Sequence, residues 1–219
     1  SSEQIVNIVS HGGGSKNIVA VKDSFDVLKK LEFSAEQIVK IASHKGGSKN
    51  IEAVKKSFKA LKNLKFSSGQ IVKIASNSGG SKNIMAVKNT FEVLMGLQFT
   101  AEQIVKIVSH DGGSNNIEAV KNSFVALKSL NFSAEQIVKI VSNGGGSKNI
   151  EAVKNSFEQL KSLQFSADEI VKMVSHHGGS NNLKYVCENF TQLKQNGISK
   201  VSIITYLNHN SGHLKLSNL

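Results

Sequence analysis

The chain contains no proline and no tryptophan, and only one cysteine in 219 residues. With no proline, no pyrrolidine ring interrupts a helix anywhere along it. Cys187 has no partner for an internal disulfide, which points to a reducing, intracellular setting. It stands where other copies of the pattern described below carry Lys22, Lys55, Lys88, Lys121 and Lys154, so it reads as a tolerated helix residue rather than a redox centre. No apolar run approaches the ~20 residues of a membrane span, and no charged-then-apolar leader opens the sequence, so neither insertion nor secretion is expected.

What is abundant is lysine. Basic residues number 27 against 16 acidic ones, a formal charge of +11, and the excess runs along the whole chain rather than in a tail. A distributed positive field favours a long polyanion as partner, although charge alone is weak support for one.

The sequence repeats itself every 33 residues. The unit that starts at Phe33 restarts at Phe66, Phe99, Phe132, Phe165 and, in degenerate form, at Ile198. The chain opens one residue inside a first copy, giving repeats 1–32, 33–65, 66–98, 99–131, 132–164, 165–197 and a shortened 198–219, read as one array over 1–219. All 11 phenylalanines fall at two positions of the unit, which assigns them to the core.

Each unit carries two helix signals. Ser34 to Gln37, Thr100 to Gln103 and Ser166 to Glu169 have the capping-box spacing, and Ile38, Ile41 and Ala42 follow at helical intervals. A second helix places Ile51, Val54, Phe58, Leu61 and Leu64 on one stripe. Neither helix buries its stripe alone, whereas stacked units form a continuous core, so an all-α solenoid of two-helix repeats is expected.

Between the helices lies a short loop: His or Asn, a variable residue, then Gly-Gly. The first place holds His11, His44, Asn77, His110, Asn143, His176 and His209; the second holds Gly12, Lys45, Ser78, Asp111, Gly144, His177 and Asn210. Variation is confined to that second place, while exposed positions such as Lys40 hardly change from copy to copy. It reads as a contact point for a varied ligand, and base edges in a major groove fit its chemistry. Asp111 only accepts, which suits the cytosine amino group; Lys45 only donates, which suits guanine; Gly12 and Gly144 leave room for a thymine methyl; Asn210 can donate to a purine.

The glycine pairs Gly13-Gly14, Gly46-Gly47, Gly79-Gly80, Gly112-Gly113, Gly145-Gly146 and Gly178-Gly179 would let the backbone turn tightly and bring free amides of the next helix to a phosphate. Lys16, Lys49, Lys82 and Lys148 stand in that first turn as phosphate contacts, with Asn115 and Asn181 in the same place contributing less charge.

The segment Phe33-Ser-Ala-Glu-Gln-Ile-Val-Lys-Ile-Ala-Ser-His-Lys-Gly-Gly resembles the repeat of the transcription activator-like effectors, the TALE proteins, and their diverged bacterial relatives; the resemblance recurs over essentially the whole chain. It implies a right-handed superhelical α-solenoid that follows the major groove of double-stranded DNA. By the same resemblance the first loop residues are braces, the second residues each read one base, and the site is near 5′-TGACTGG-3′, with Asp111 on cytosine and the two glycines on thymine the firmest. Three departures stand out. The family's proline in the second helix is replaced at Lys59 and its equivalents, which puts the helix bend in question. Its lysine after Gly-Gly is Ser48 here, with Lys49 one place later. The last copy has Ser211 for the first glycine and lacks the Ser-to-Gln cap at Ser199 to Ser202.

Two other partners suit helical repeats. A peptide-binding scaffold would vary a helix face rather than one loop position, and a reader of single-stranded RNA usually carries stacking aromatics, which these loops lack. An enzyme is not expected. Five of the seven histidines are loop braces a repeat or more apart, His177 and His213 add no cluster, and Gly-Gly-Ser-Lys lacks the Gly-Lys-Ser/Thr ending of a phosphate loop. No metal, cofactor, membrane or small-molecule substrate is implied, and a monomer is the expected state.

Overall fold

The computed structural model describes residues 2–10, 13–77, 79–175 and 178–207. All regular structure among them is helical, and the chain divides into two compact units, Ser1–Ser109 and His110–Leu219. No described helix is long and apolar enough to cross a membrane.

In the first unit the helices are α1 (Ser2–Ser10), α2 (Ser15–Asp23), α3 (Phe25–Lys30), α4 (Ala35–Ser43), α5 (Gly47–Lys56), α6 (Phe58–Asn63), α7 (Ser68–Ala75), α8 (Gly80–Asn89), α9 (Phe91–Gly96) and α10 (Ala101–Ser109). The second holds α11 (Ser114–Asn122), α12 (Phe124–Ser129), α13 (Ala134–Val141), α14 (Ser147–Asn155), α15 (Phe157–Ser162), α16 (Ala167–Val174), α17 (Gly179–Gln195) and α18 (Lys200–Leu207).

Like packs on like. In the first unit α1, α4, α7 and α10 form one row and α2, α5 and α8 another; in the second, α13 packs on α16 and α11, α14 and α17 stack in turn. Each unit is therefore an α-solenoid. The stripe residues Ile51, Val54 and Leu61 are fully buried, as are Ile150, Val153 and Leu160 one unit further on. Stacking is what buries them. Ile71 of α7 is fully buried, whereas Ile5 of α1, with no helix pair before it among the described residues, is 55% exposed. Each large side chain taken from water this way contributes about 1.5–3 kcal/mol.

The capping boxes form at the first helices. Ser34, Ser67, Ser133 and Ser166 each accept from the amide three residues on, and the Gln or Glu there accepts from the cap amide in return. Thr100 and Gln103 do the same. Half of the motif survives in the degenerate copy: Ser199 Oγ accepts from the Ser202 amide at 3.0 Å, so α18 is capped although no Gln is present.

Two expectations need correction. The second helix is not continuous in the first five repeats: it breaks at Ser24, Ser57, Thr90, Ser123 and Ser156, where φ lies between −97° and −110° and ψ between 3° and 9°. Proline is not needed for this bend. The first four of these hydroxyl residues are buried, and Thr90 Oγ1 bonds back to the Ala86 carbonyl at 2.7 Å, a side-chain bond that competes with the helix ladder. Where Asn189 takes the place, α17 runs unbroken for 17 residues.

The phenylalanines are also not all core. Phe66, Phe99, Phe132, Phe165 and Phe190 are buried, but Phe58, Phe91, Phe124 and Phe157 are half-buried and Phe25 is 56% exposed. The bend directly before each of the latter turns its ring toward the solvent edge, where Lys62 and Lys161 sit over Phe58 and Phe157.

Repeats end on a left-handed residue without being glycine. Glu32, Lys65, Gln98, Asn131 and Gln164 have φ of 55–57°. The Phe66 amide reaches back to the Leu61 carbonyl and that of Lys65 to Lys62, which closes the helix as a Schellman motif and delivers the buried phenylalanine of the next unit.

A close approach explains the second glycine of the pairs. A Cβ on Gly80 would strike the Ala75 carbonyl and lie 2.6 Å from Asn50 Oδ1, whereas one on Gly144 would meet nothing within 4 Å. Gly80→Ala should therefore lower stability by about 1–3 kcal/mol and Gly144→Ala should stay within about 0.5 kcal/mol of wild type, measured by urea denaturation.

At the far end Glu169 pairs with Lys200 at 2.8 Å and caps Ser166. Burial pushes the Glu169 carboxyl up, but hydrogen bonds from Lys200 and Ser166, with the lysine charge, outweigh it and hold the group below 4.5. A carboxylate lowered on folding adds stability above its unfolded value and loses it as pH falls through the folded one. Acidification from neutral pH through the lowered Glu169 titration should therefore reduce amide protection in α18 of the wild type, exchange being referred to its intrinsic rate at each pH. In Glu169→Gln, which keeps the cap acceptor without the charge, protection should already be lower at neutral pH and respond little to acid; equal acid responses would contradict the assignment.

Candidate nucleic-acid interface

Because first helices stack on first helices and second on second, the loops joining them lie along one edge of each unit. Of the variable residues, Lys45, Asp111 and Gly144 are described and all three are exposed. Gly12, Ser78, His177 and Asn210, with His11, His176 and His209, lie outside the described residues.

Asp111 and Gly144 sit on short turns closed through the backbone: the Gly113 amide donates to the His110 carbonyl at 2.9 Å and the Gly146 amide to Asn143 at 2.8 Å. The Gly80 amide donates to the Asn77 carbonyl at 2.9 Å. Gly46 and Gly112 take φ of 84° and 102°, a region costly for any residue with a Cβ, and so permit the sharp entry into the next helix. The side chains of the expected braces behave differently from one another. Asn143 Nδ2 donates to the Lys139 carbonyl at 2.6 Å. Asn77 Nδ2 is buried with no hydrogen-bond partner among the described residues, His44 is half-buried, and His110 is exposed.

A polar residue that sequence reasoning missed lies behind these loops. Asn17, Asn50, Asn83, Asn116, Asn149 and Asn182 are all at most 1% exposed. The amide nitrogens of four of them, Asn17, Asn50, Asn149 and Asn182, satisfy carbonyls at the ends of the first helices, groups a helix leaves without an internal partner. Asn17 donates to Ile8 at 3.1 Å and Asn182 to Met173 at 3.2 Å, while Asn149 reaches both Ile140 and Val174 at 3.3 Å. Asn50 donates to the carbonyl of Lys45 at 3.4 Å and of Ala75 at 3.2 Å; Asn116 donates to that of Asp111 at 3.0 Å. The signal was there: asparagine recurs in every full copy, next to a fully buried Ile or Leu, where the stripe calls for an apolar residue.

The same asparagines change the account of the phosphate site. Free amides were expected at the start of the second helix, but the Ser48 and Ser180 amides donate to Asn17 Oδ1 and Asn149 Oδ1 at 2.9 Å. The amides of Lys16, Lys82 and Lys148 close turns onto Gly13, Gly79 and Gly145. What remains outward is charge: Lys16, Lys49, Lys82 and Lys148 are exposed, as are Asn115 and Asn181. In the second unit Asn143, Gly144, Gly145, Gly178 and Ser180 border an open cleft between successive loops.

No group of His, Cys, Asp and Glu that could hold a metal ion occurs among the described residues. Cys187 is buried, and burial pushes its thiol up, away from the reactive thiolate.

A comparison with known families finds the TAL effector repeat at residues 78–110, a window of one repeat length that runs from the variable residue of one loop to the first residue of the next. No curated protein matches the chain as a relative. TAL effector repeats are a DNA-binding repeat family. The same 33-residue pattern recurs on either side of the matched window, stacked in two all-helical units, which supports a TALE-like repeat protein.

Proposed function

We propose that the chain binds double-stranded DNA sequence-specifically, each repeat presenting the second loop residue to one base in the major groove. The observation that carries this is the pairing of a nearly constant scaffold with one variable, exposed residue: Lys45, Asp111 and Gly144 differ in chemistry and occupy the same exposed place in the loop between the two helices of their repeats. Asp111, an acceptor only, pairs with the cytosine amino group; Lys45 donates to guanine; Gly144 admits the thymine methyl. With Gly12, Ser78, His177 and Asn210 the array reads a site near 5′-TGACTGG-3′.

Phosphate contact falls to the lysine side chains at the loop edge and to the outward faces of the glycine turns, since the helix amides are largely used within the protein. The chain acts as a monomeric binding module with no catalytic step, metal, cofactor or small-molecule substrate.

Selection of duplexes from a random pool tests the assignment. Wild type should return cytosine at the fourth position, and Asp111→Asn should lose that preference by about tenfold or more while leaving the other positions alone, as a single base contact contributes about 1–3 kcal/mol of discrimination. Lys45→Ala should relax the second position only. No cytosine preference at the fourth position, or better competition by single-stranded RNA than by matched duplex, rejects it.

Salt dependence separates the two kinds of lysine. Lys49→Ala should reduce the slope of log affinity against log salt by about 0.9 and weaken all duplexes equally. An unchanged slope would remove Lys49 from the phosphate contacts.

A further inference from the structure

We infer that the buried asparagine behind each loop is a positioning residue that holds its own repeat's reader and ties it to the next repeat, so that neighbouring bases are read as coupled pairs. This rests on the base-reading assignment above.

The geometry has two halves. Within a repeat, Asn116 Nδ2 holds the carbonyl of the reader Asp111 at 3.0 Å, and Asn50 Nδ2 that of Lys45 at 3.4 Å. Across repeats, Asn50 Nδ2 also takes the Ala75 carbonyl, the last residue of the helix that leads into the Asn77 loop. Asn149 does the same to Val174, ahead of the His177 loop, and its Oδ1 accepts the Ser180 amide beyond that loop at 2.9 Å. One side chain thus grips both ends of the following loop.

Space around it is closed. Gly179 runs so near Asn149 Oδ1 that a Cβ would strike it, and a Cβ on Gly146 would come within 2.8 Å of Asn116 Oδ1. A displaced asparagine therefore has nowhere to go without moving the next glycine turn. Buried and hydrogen-bonded in a low-dielectric site, it transmits position rather than absorbing it.

Asn149→Ala and the control Val153→Ala, a fully buried apolar position in the same helix, separate positioning from general stability. In the free protein, hydrogen exchange of the Ser180 amide should rise about fivefold in Asn149→Ala relative to Val153→Ala, the loss of one hydrogen bond. On single-mismatch variants of the duplex selected by wild type, Asn149→Ala should lower discrimination at both the fifth and sixth positions, those of Gly144 and His177, and leave the other positions and the salt slope unchanged. Val153→Ala should leave the pattern of preferences as it is.

Should Asn149→Ala fail to fold, Ser180→Pro removes the amide donor in the first helical turn, where proline is tolerated, and should give the same two-position loss. A uniform loss of affinity in Asn149→Ala, a loss confined to the fifth position, or unchanged Ser180 exchange would overturn the inference. If wild type itself selects no bases, base reading fails, and the positioning role falls with it.

Discussion

A two-helix unit of 33 residues has one apolar stripe per helix and too little of itself to cover it. Burial is available only from the next copy, and the full burial of Ile71 beside the exposure of Ile5 shows how much depends on that neighbour. The constraint fixes more than stability. Identical stripes stack only in identical orientation, so every connecting loop in a unit emerges on the same edge, one repeat spacing from the last. A row of equivalent positions follows from core packing before any ligand is considered.

Tight stacking also brings polar backbone into the interior. The C-terminal carbonyls of the first helices lie at the seam between repeats, and leaving such groups unpaired costs about 1–3 kcal/mol each. The buried asparagines meet that demand at several repeats, with amide nitrogens on the carbonyls of Ile8, Ala75, Ile140, Met173 and Val174. The same side chain that satisfies the seam touches the loop, so the part of the scaffold that cannot be left unsatisfied is also the part nearest the candidate readers. The described candidate readers Lys45 and Asp111, by contrast, are exposed and outside the core, which frees the position to vary.

The period, the capping boxes and the buried Ile and Val stripe are legible in the sequence because each is a local pattern whose meaning does not depend on the neighbour. The bend at Ser57 is not, since a lone serine at helical spacing carries no break signal of its own and its hydroxyl is directed to Met85 of the next repeat, while Asn189 at the same position leaves the helix whole. Helical spacing puts Phe58 on one stripe with Ile51 and Val54, and the bend then separates them, leaving Phe58 half-buried while Ile51 and Val54 are fully buried. For the candidate site, the location of the loop and its variable residue can be read from repeat comparison alone. What holds the loop is written only faintly: Asn50 recurs on the apolar stripe of every full copy, but within Ser-Lys-Asn it is one polar residue among several, and its partners come from the packed neighbour.

The basic residues of the chain are all lysine; the sequence contains no arginine. Lysine presents a compact, strongly hydrated point charge on a flexible stem, without the rigid fork that lets arginine grip a phosphate or a guanine edge bidentately. In the proposed DNA complex such a charge attracts a polyanion but carries little geometric information, so the orienting of each loop would come from inside the protein. A backbone-closed turn such as His110–Gly113, with the Asp111 carbonyl held from behind by Asn116, supplies that orientation without any help from the ligand. Preorganisation of this kind lowers the ordering cost of each contact, and a lysine-only array depends on it more than one whose phosphate clamps are themselves directional.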